Sequence, residues 1–120
     1  MRTVKEDGLV IMDESSHEVL SICEILKDQE MTLKLSGSIT MQVSHEFEDE
    51  LTSVLTVCSR VVIDFSDVTG ISSIGLKALL HAQKILDQRK SSYLRLRKLN
   101  SEVLEVFKSL GFEELFEIQN

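Results

Sequence analysis

The sequence predicts an α/β fold: one mixed sheet of four to six strands, connected through three main helices. Three observations predict it. Short apolar, β-branched runs alternate with longer stretches of helical spacing. One run, Arg60 to Phe65 (RVVIDF), is almost continuously apolar, the pattern of a central strand covered on both faces. The order of elements, two strands and then helix, strand, helix, strand, helix and a closing strand, suits a sheet with crossover helices better than a bundle or a sandwich.

Residues 1–17 are mostly polar and read as an N-terminal extension to a domain spanning residues 18–120; within it, Leu9 to Met12 either adds an edge strand or stays irregular. Val19 to Leu26 and Met31 to Leu35 predict a hairpin turning at Lys27-Asp28-Gln29-Glu30, with Gly37 ending its second strand. Val43, Phe47, Leu51, Val54, Leu55 and Cys58 then repeat at helical spacing. Ser44 is the expected N-cap there, and Glu46, Glu48 and Asp49 suit the positive first turn. After RVVIDF, a turn from Ser66 to Gly70 leads to Ser73, the expected cap of a helix carrying Leu76, Leu79, Leu80, Ala82 and Leu86 on one stripe. Tyr93, Leu94 and Leu96 form the next strand. Ser101 is placed to cap a helix with Val103, Leu104, Phe107 and Leu110 inward and Gly111 at C′, before a last strand at Leu115, Phe116 and Ile118. Val61, Val62, Ile63, Leu79 and Phe107 are the expected core. No proline and no glycine-rich linker divides the chain, so one domain is expected.

Charge and cysteines narrow the function. Against 20 acidic residues stand 13 basic ones, a net charge of -7, and such a field repels phosphate backbones, so nucleic acid is not the expected partner. No apolar run reaches the roughly 20 residues of a membrane span, so no membrane insertion is expected. Nor does the N-terminus carry a cationic segment followed by an apolar one. Cys23 and Cys58 are isolated and read as small buried hydrophobes, which suits the cytoplasm.

Catalytic patterns fail one by one. The segment Gly70 to Lys77 (GISSIGLK) has the order of a phosphate loop, but Leu76 separates the second glycine from Lys77, and Ala78 stands where a magnesium-binding hydroxyl belongs. No serine has the flanking glycines of a nucleophile elbow. His17, His45 and His81 are scattered, and the acidic run His45 to Glu50 reads as a solvated helix face. Arg95 to Lys98 alternate with leucines and line the outer side of a strand. The chain is thus expected to be no enzyme, with no cofactor and no metal, and no residue demands a small-molecule ligand. What remains is Ser72 and Ser73, where a central strand ends and a helix begins. A phosphate on Ser73 would meet free backbone N–H groups and the positive end of the helix dipole; a plain N-cap is the alternative.

VVIDFSDVTGISSIGLKALL, residues 61 to 80, resembles the signature of STAS domains, with Asp64, Ser66, Val68, Ser73, Gly75 and Leu76 matching. SEVLEVFKSLGFEELFEI, residues 101 to 118, looks like the family's last helix, turn and closing strand, and MTLKLSGSIT resembles its first glycine-bearing strand. The resemblance implies a single STAS-like domain akin to bacterial anti-sigma-factor antagonists. In that branch a signature serine is phosphorylated by a partner kinase that is also the anti-sigma factor, and phosphorylation releases the partner. The match puts this role on Ser73; the spacing of stressosome-type relatives selects Ser72. It implies a partner surface of Ser38, Thr40, Asp64, Asp67, Ser72, Ser73, Gly75, Leu76 and Lys77. Three positions depart from the pattern: Ser72 replaces an Asp, Ile74 a small residue, and Gly37-Ser38-Ile39-Thr40 a more acidic turn. The competing expectation is a constitutive STAS scaffold subunit in a larger signalling or transport assembly.

Overall fold

The computed structural model describes residues 2–5, 8–12 and 18–120, and for residues 2–5, 8–12 and 18 the backbone only. The strands are β1 (Arg2–Lys5), β2 (Gly8–Met12), β3 (Glu18–Lys27), β4 (Glu30–Ile39), β5 (Arg60–Ile71), β6 (Tyr93–Arg97) and β7 (Glu117–Gln119). The helices are α1 (Ser44–Val57), α2 (Ser73–Asp87) and α3 (Ser101–Ser109). All seven strands form one sheet, in chain order from β1 to β7. Pairing is antiparallel from β1 to β4 and parallel from β4 to β7. Residues 18–120 supply five of the strands and the three helices, as an α/β mixed sheet; residues 2–5 and 8–12 extend it at one edge. Residues 13–17, and with them His17, lie outside the described residues.

Parallel strands that advance one way through right-handed crossovers put every helix on the same face. That face holds the core: Leu33 and Leu35 of β4, Val61, Ile63 and Phe65 of β5, and Leu96 of β6 pack with Phe47, Leu79 and Phe107 of the helices. All five expected core residues are buried. Among the described residues, helices nevertheless cover RVVIDF on one face only. Val62 and Asp64 point to the other face. There the register sets Val62 between Thr32 and Arg95, and Asp64 between Lys34 and Arg97, so neighbouring side chains bury both.

Two expected ends are continuations. Gly37 lies inside β4 at φ +115°, and a Cβ there would stand 2.1 Å from the Val19 carbonyl oxygen, so glycine lets the strand cross a bulge. The expected turn from Ser66 to Gly70 continues β5, pairing Asp67 with Ser36, Val68 with Gly37 and Gly70 with Ser38. Its backbone groups are met by the extended β4. The last strand starts later than expected. Glu113–Leu115 form a 3-10 turn, Phe116 sets its ring edge-on to Phe107 with centroids 5.5 Å apart, and only Glu117–Gln119 pair. Cys58 is buried, whereas Cys23, on the helix-free side of β3, is half-buried.

Candidate functional site at the start of α2

The three helix caps expected from the sequence each stand one residue away from the true cap or have no capping role. Ser72, in extended conformation, is the N-cap of α2: its Oγ accepts the Gly75 N–H at 3.0 Å, and its carbonyl accepts the Leu76 N–H at 2.9 Å. Ser73 is therefore the first helical residue, with an exposed side chain. Ser44 does not cap α1. A 3-10 turn, Met41–Val43, precedes it, and Ser44 Oγ donates to the Thr40 carbonyl at 2.7 Å. Asn100, not Ser101, caps α3: its Oδ1 accepts the Val103 N–H at 2.8 Å, while its Nδ2 donates to the Val68 carbonyl at 2.9 Å. At the other end of α3, Gly111 stands at C′ with φ +70°, where its N–H meets Lys108 O and the Phe112 N–H meets Phe107 O.

The strand ends converge on the serines. The Ser72 N–H donates to the Ile39 carbonyl at 2.8 Å, joining the end of β4 to the start of α2. Ser44, only 1% exposed, brings its hydroxyl within 3.2 Å of Ser72 Oγ. Ser72 Oγ is thus held between the Gly75 amide and a buried hydroxyl. Gly75 lets the helix approach this closely, since a Cβ there would stand 2.6 Å from Ile39 Cγ2. Around this anchored base the exposed groups are Ser73, Ile74, Lys77, Met41 and Gln42, with Ile74 44% and Met41 67% exposed. Ser38 and Thr40 are half-buried at the end of β4, and Asp67 is exposed on β5.

The remaining expected partner residues sit differently. Gly75 and Leu76 are buried beneath the start of α2. Asp64 lies on the helix-free face, where its Oδ1 accepts the Ser66 N–H at 2.8 Å and its Oδ2 is 3.7 Å from Arg97 Nη2. Burial works against its charge, but the Ser66 amide and hydroxyl, with Lys98 and Arg97, outweigh burial and hold the carboxyl below its ordinary range. Sequence reasoning missed Ser44 and Asn100 as structural ties. Ser44 had a signal: it falls on the stripe of Phe47, Leu51 and Val54, so a hydroxyl there must be buried and find a partner.

Within the acidic run, Phe47 is buried, His45 pairs with Asp49 at 3.5 Å, and Glu48 meets His81 Nδ1 at 3.0 Å. Among the described residues, no group of three or more His, Cys, Asp or Glu could hold a metal ion, and no helix is long and apolar enough to cross a membrane.

A sheet with helices on one face and a serine pair at a strand-to-helix junction defines the architectural class, and comparison gives the family. The model described as "Mlab, STAS domain" matches residues 24–117, and the chain belongs to this STAS family. No curated protein sequence matches significantly. Among solved structures, an anti-sigma factor antagonist from Mycobacterium paratuberculosis is 19% identical, with a TM-score of 0.74 over 91% of this chain and 90% of that one. Unphosphorylated SpoIIAA, a Bacillus anti-sigma factor antagonist, is 13% identical, with a TM-score of 0.68 over 85% and 89%. A sulfate transporter family protein from Wolinella succinogenes is 16% identical, with a TM-score of 0.64 over 89% and 84%. At these identities the likeness is one of fold.

Proposed function

We propose that the chain is a non-catalytic phospho-switch of the cytoplasm, resembling anti-sigma-factor antagonists. Unphosphorylated, it binds a protein partner, a serine kinase that is also an anti-sigma factor, and so regulates transcription; phosphate on Ser73 releases that partner. The observation that supports this most directly is the division of labour between adjacent serines. Ser72 is committed to the Gly75 amide and to Ser44, whereas Ser73 is exposed on the first turn beside Ile74 and Lys77. The partner surface runs over Ser73, Ile74 and Lys77 to Met41, with Ser38, Thr40 and Asp67 at its border.

A phosphate adds about -1.5 to -2 charges at neutral pH. At the first position of α2 the helix dipole stabilises that charge by roughly 0.3 to 1 kcal/mol. The penalty then falls on the complex, where an unpaired phosphate would be desolvated. Ser73→Asp should leave the melting temperature nearly unchanged and weaken partner binding at least tenfold, about 1.4 kcal/mol. Ser73→Ala should bind like the wild type and, since it is not the cap, lose little stability, whereas Ser72→Ala should lose about 1 kcal/mol. Calorimetric titration of both Ser73 variants against a co-purified partner is the test. The exposed apolar pair Met41 and Ile74 also favours a second reading, a constitutive scaffold contact in a larger signalling or transport assembly. Equal affinities for Ser73→Asp and Ser73→Ala would refute the switch at Ser73 and leave a switch at Ser72 or the scaffold.

A further inference from the structure

The helix-free face of the sheet carries a second concave surface, remote from the α2 junction in function and composition. A hollow of about 420 Å³ opens there, lined by Ile25, Lys27, Glu30, Thr32, Tyr93 and Arg97, with Asp28 at the rim. Of the charged residues that line it, Glu30 is engaged. The Tyr93 hydroxyl donates to Glu30. Arg95 turns away, stacking over the Tyr93 ring at 3.8 Å and pairing with Glu117 at 2.6 Å.

Arg97 is only loosely held. Its nearest acid, Asp64, is 3.7 Å away, beyond hydrogen-bonding length. Asp64 has given one oxygen to the Ser66 N–H. Arg97 Nε is buried without a hydrogen-bond partner, while 40% of the side chain remains exposed and lines the hollow. The exposed Nη end of the guanidinium is left to meet an acidic group entering from solvent. Lys98 acts on Asp64 as well, so one carboxylate faces two cations in a chain whose net charge is -7. Ile25, 50% exposed, supplies an apolar wall.

We propose that this hollow binds a small organic anion, a carboxylate or phosphate monoester with an apolar body, its acidic head on Arg97 and Thr32 and its body against Ile25. Glu30 and Asp28 on the opposite rim restrict the ligand to one acidic group, because a polyanion would meet them. This site is independent of the Ser73 reading.

The test is an NMR titration of amide shifts in the full chain with benzoate, phenyl phosphate and acetate, at ionic strength fixed with sodium chloride. Expected are saturable shifts centred on Ile25, Thr32, Val62 and Arg97, with benzoate or phenyl phosphate bound at least tenfold more tightly than acetate. Which of the two binds better tells carboxylate from phosphate. Arg97→Gln should weaken binding at least tenfold. Thr32→Val, which leaves Arg97 and Asp64 in place, should weaken it severalfold at an unchanged melting temperature, and it decides the matter if Arg97→Gln fails to fold. No saturable shift with any probe, shifts confined to the amides of Ser73 to Gly75, or wild-type affinity in the folded variants would overturn the proposal.

Discussion

The two faces of β5 are buried by different means. Toward the helices, Val61, Ile63 and Phe65 are wholly enclosed by apolar side chains. On the other side Val62 and Asp64 are 3% and 6% exposed, although no helix lies over them among the described residues. Their cover comes from flanking side chains such as Thr32, Lys34, Arg95 and Arg97, whose stems shield while their heads stay wet. Equal burial therefore conceals unequal rigidity. Removing atoms from the helix side leaves a cavity between packed elements, whereas long side chains on the free side can close over the loss.

The largest expected effect follows. Phe65→Ala should cost about 3–5 kcal/mol. Val62→Ala should cost no more than the lost transfer of two methyl groups, about 1.5 kcal/mol. Denaturant unfolding of both variants measures the contrast, and equal losses would break it.

Next comes the charged member of the free face. The depressed pKa of Asp64 means that its contribution is present above the ordinary carboxylate range and is lost as the pH falls through that range toward the lowered value. Asp64→Asn should cost about 1.5 kcal/mol at pH 7 and make the acid limb of the stability curve shallower. An acid limb of unchanged slope would show that another carboxylate governs it.

The helix-covered side has its own polar exception at the edge. Glu24, on the side of β3 that carries Leu20 and Ile22, hydrogen-bonds with Glu50 of α1; that bond, burial and repulsion between the two raise its pKa from 4.5 to about 7. Here the sign is reversed. The folded chain keeps a proton that the unfolded chain has lost, so stability falls as pH rises from about 4.5 to about 7 and levels off beyond. Glu24→Gln should flatten that descent by an amount kept small by solvent. Thermal melts from acid to neutral pH would record it.

The smallest effect lies at the tip of the β3–β4 hairpin. Asp28 and Gln29 have φ of +52° and +68°, as a two-residue type I′ turn demands. Gln29→Gly relieves left-handed strain but frees the unfolded chain, so a gain of roughly 0.5 kcal/mol or less is expected in the unfolding midpoint.

The hydrophobic stripes, the alternating strand pairs and the glycine after α3 were readable because each depends on residues close together in the chain. Both β4 and β5 outran their predicted ends for a different reason. Gly37 looks like a stop, and Ser66 to Gly70 like a turn, yet each continues because the other supplies its hydrogen bonds. The caps slipped for a similar cause: where two capping residues adjoin, as at Ser72-Ser73 and Asn100-Ser101, the choice fell to tertiary ties, the Ile39 carbonyl for one and the Val68 carbonyl for the other. The junction holding the two serines was legible, but which serine was held against Ser44 was not. Nor could the position of Asp64 be read, because RVVIDF does not record which face the helices take.

Strand order equal to chain order also has a kinetic meaning. Each strand from β2 onward docks on the one made just before it, so no strand must be inserted between two already joined. During synthesis, with the N-terminus emerging first at about 5–20 residues per second, the β3–β4 hairpin can form a template edge before β5 exists. Every later crossover adds one helix and one strand to a growing edge. The longest loop closed at any step is a single crossover, as from Met31 to Val61 or from Arg60 to Tyr93.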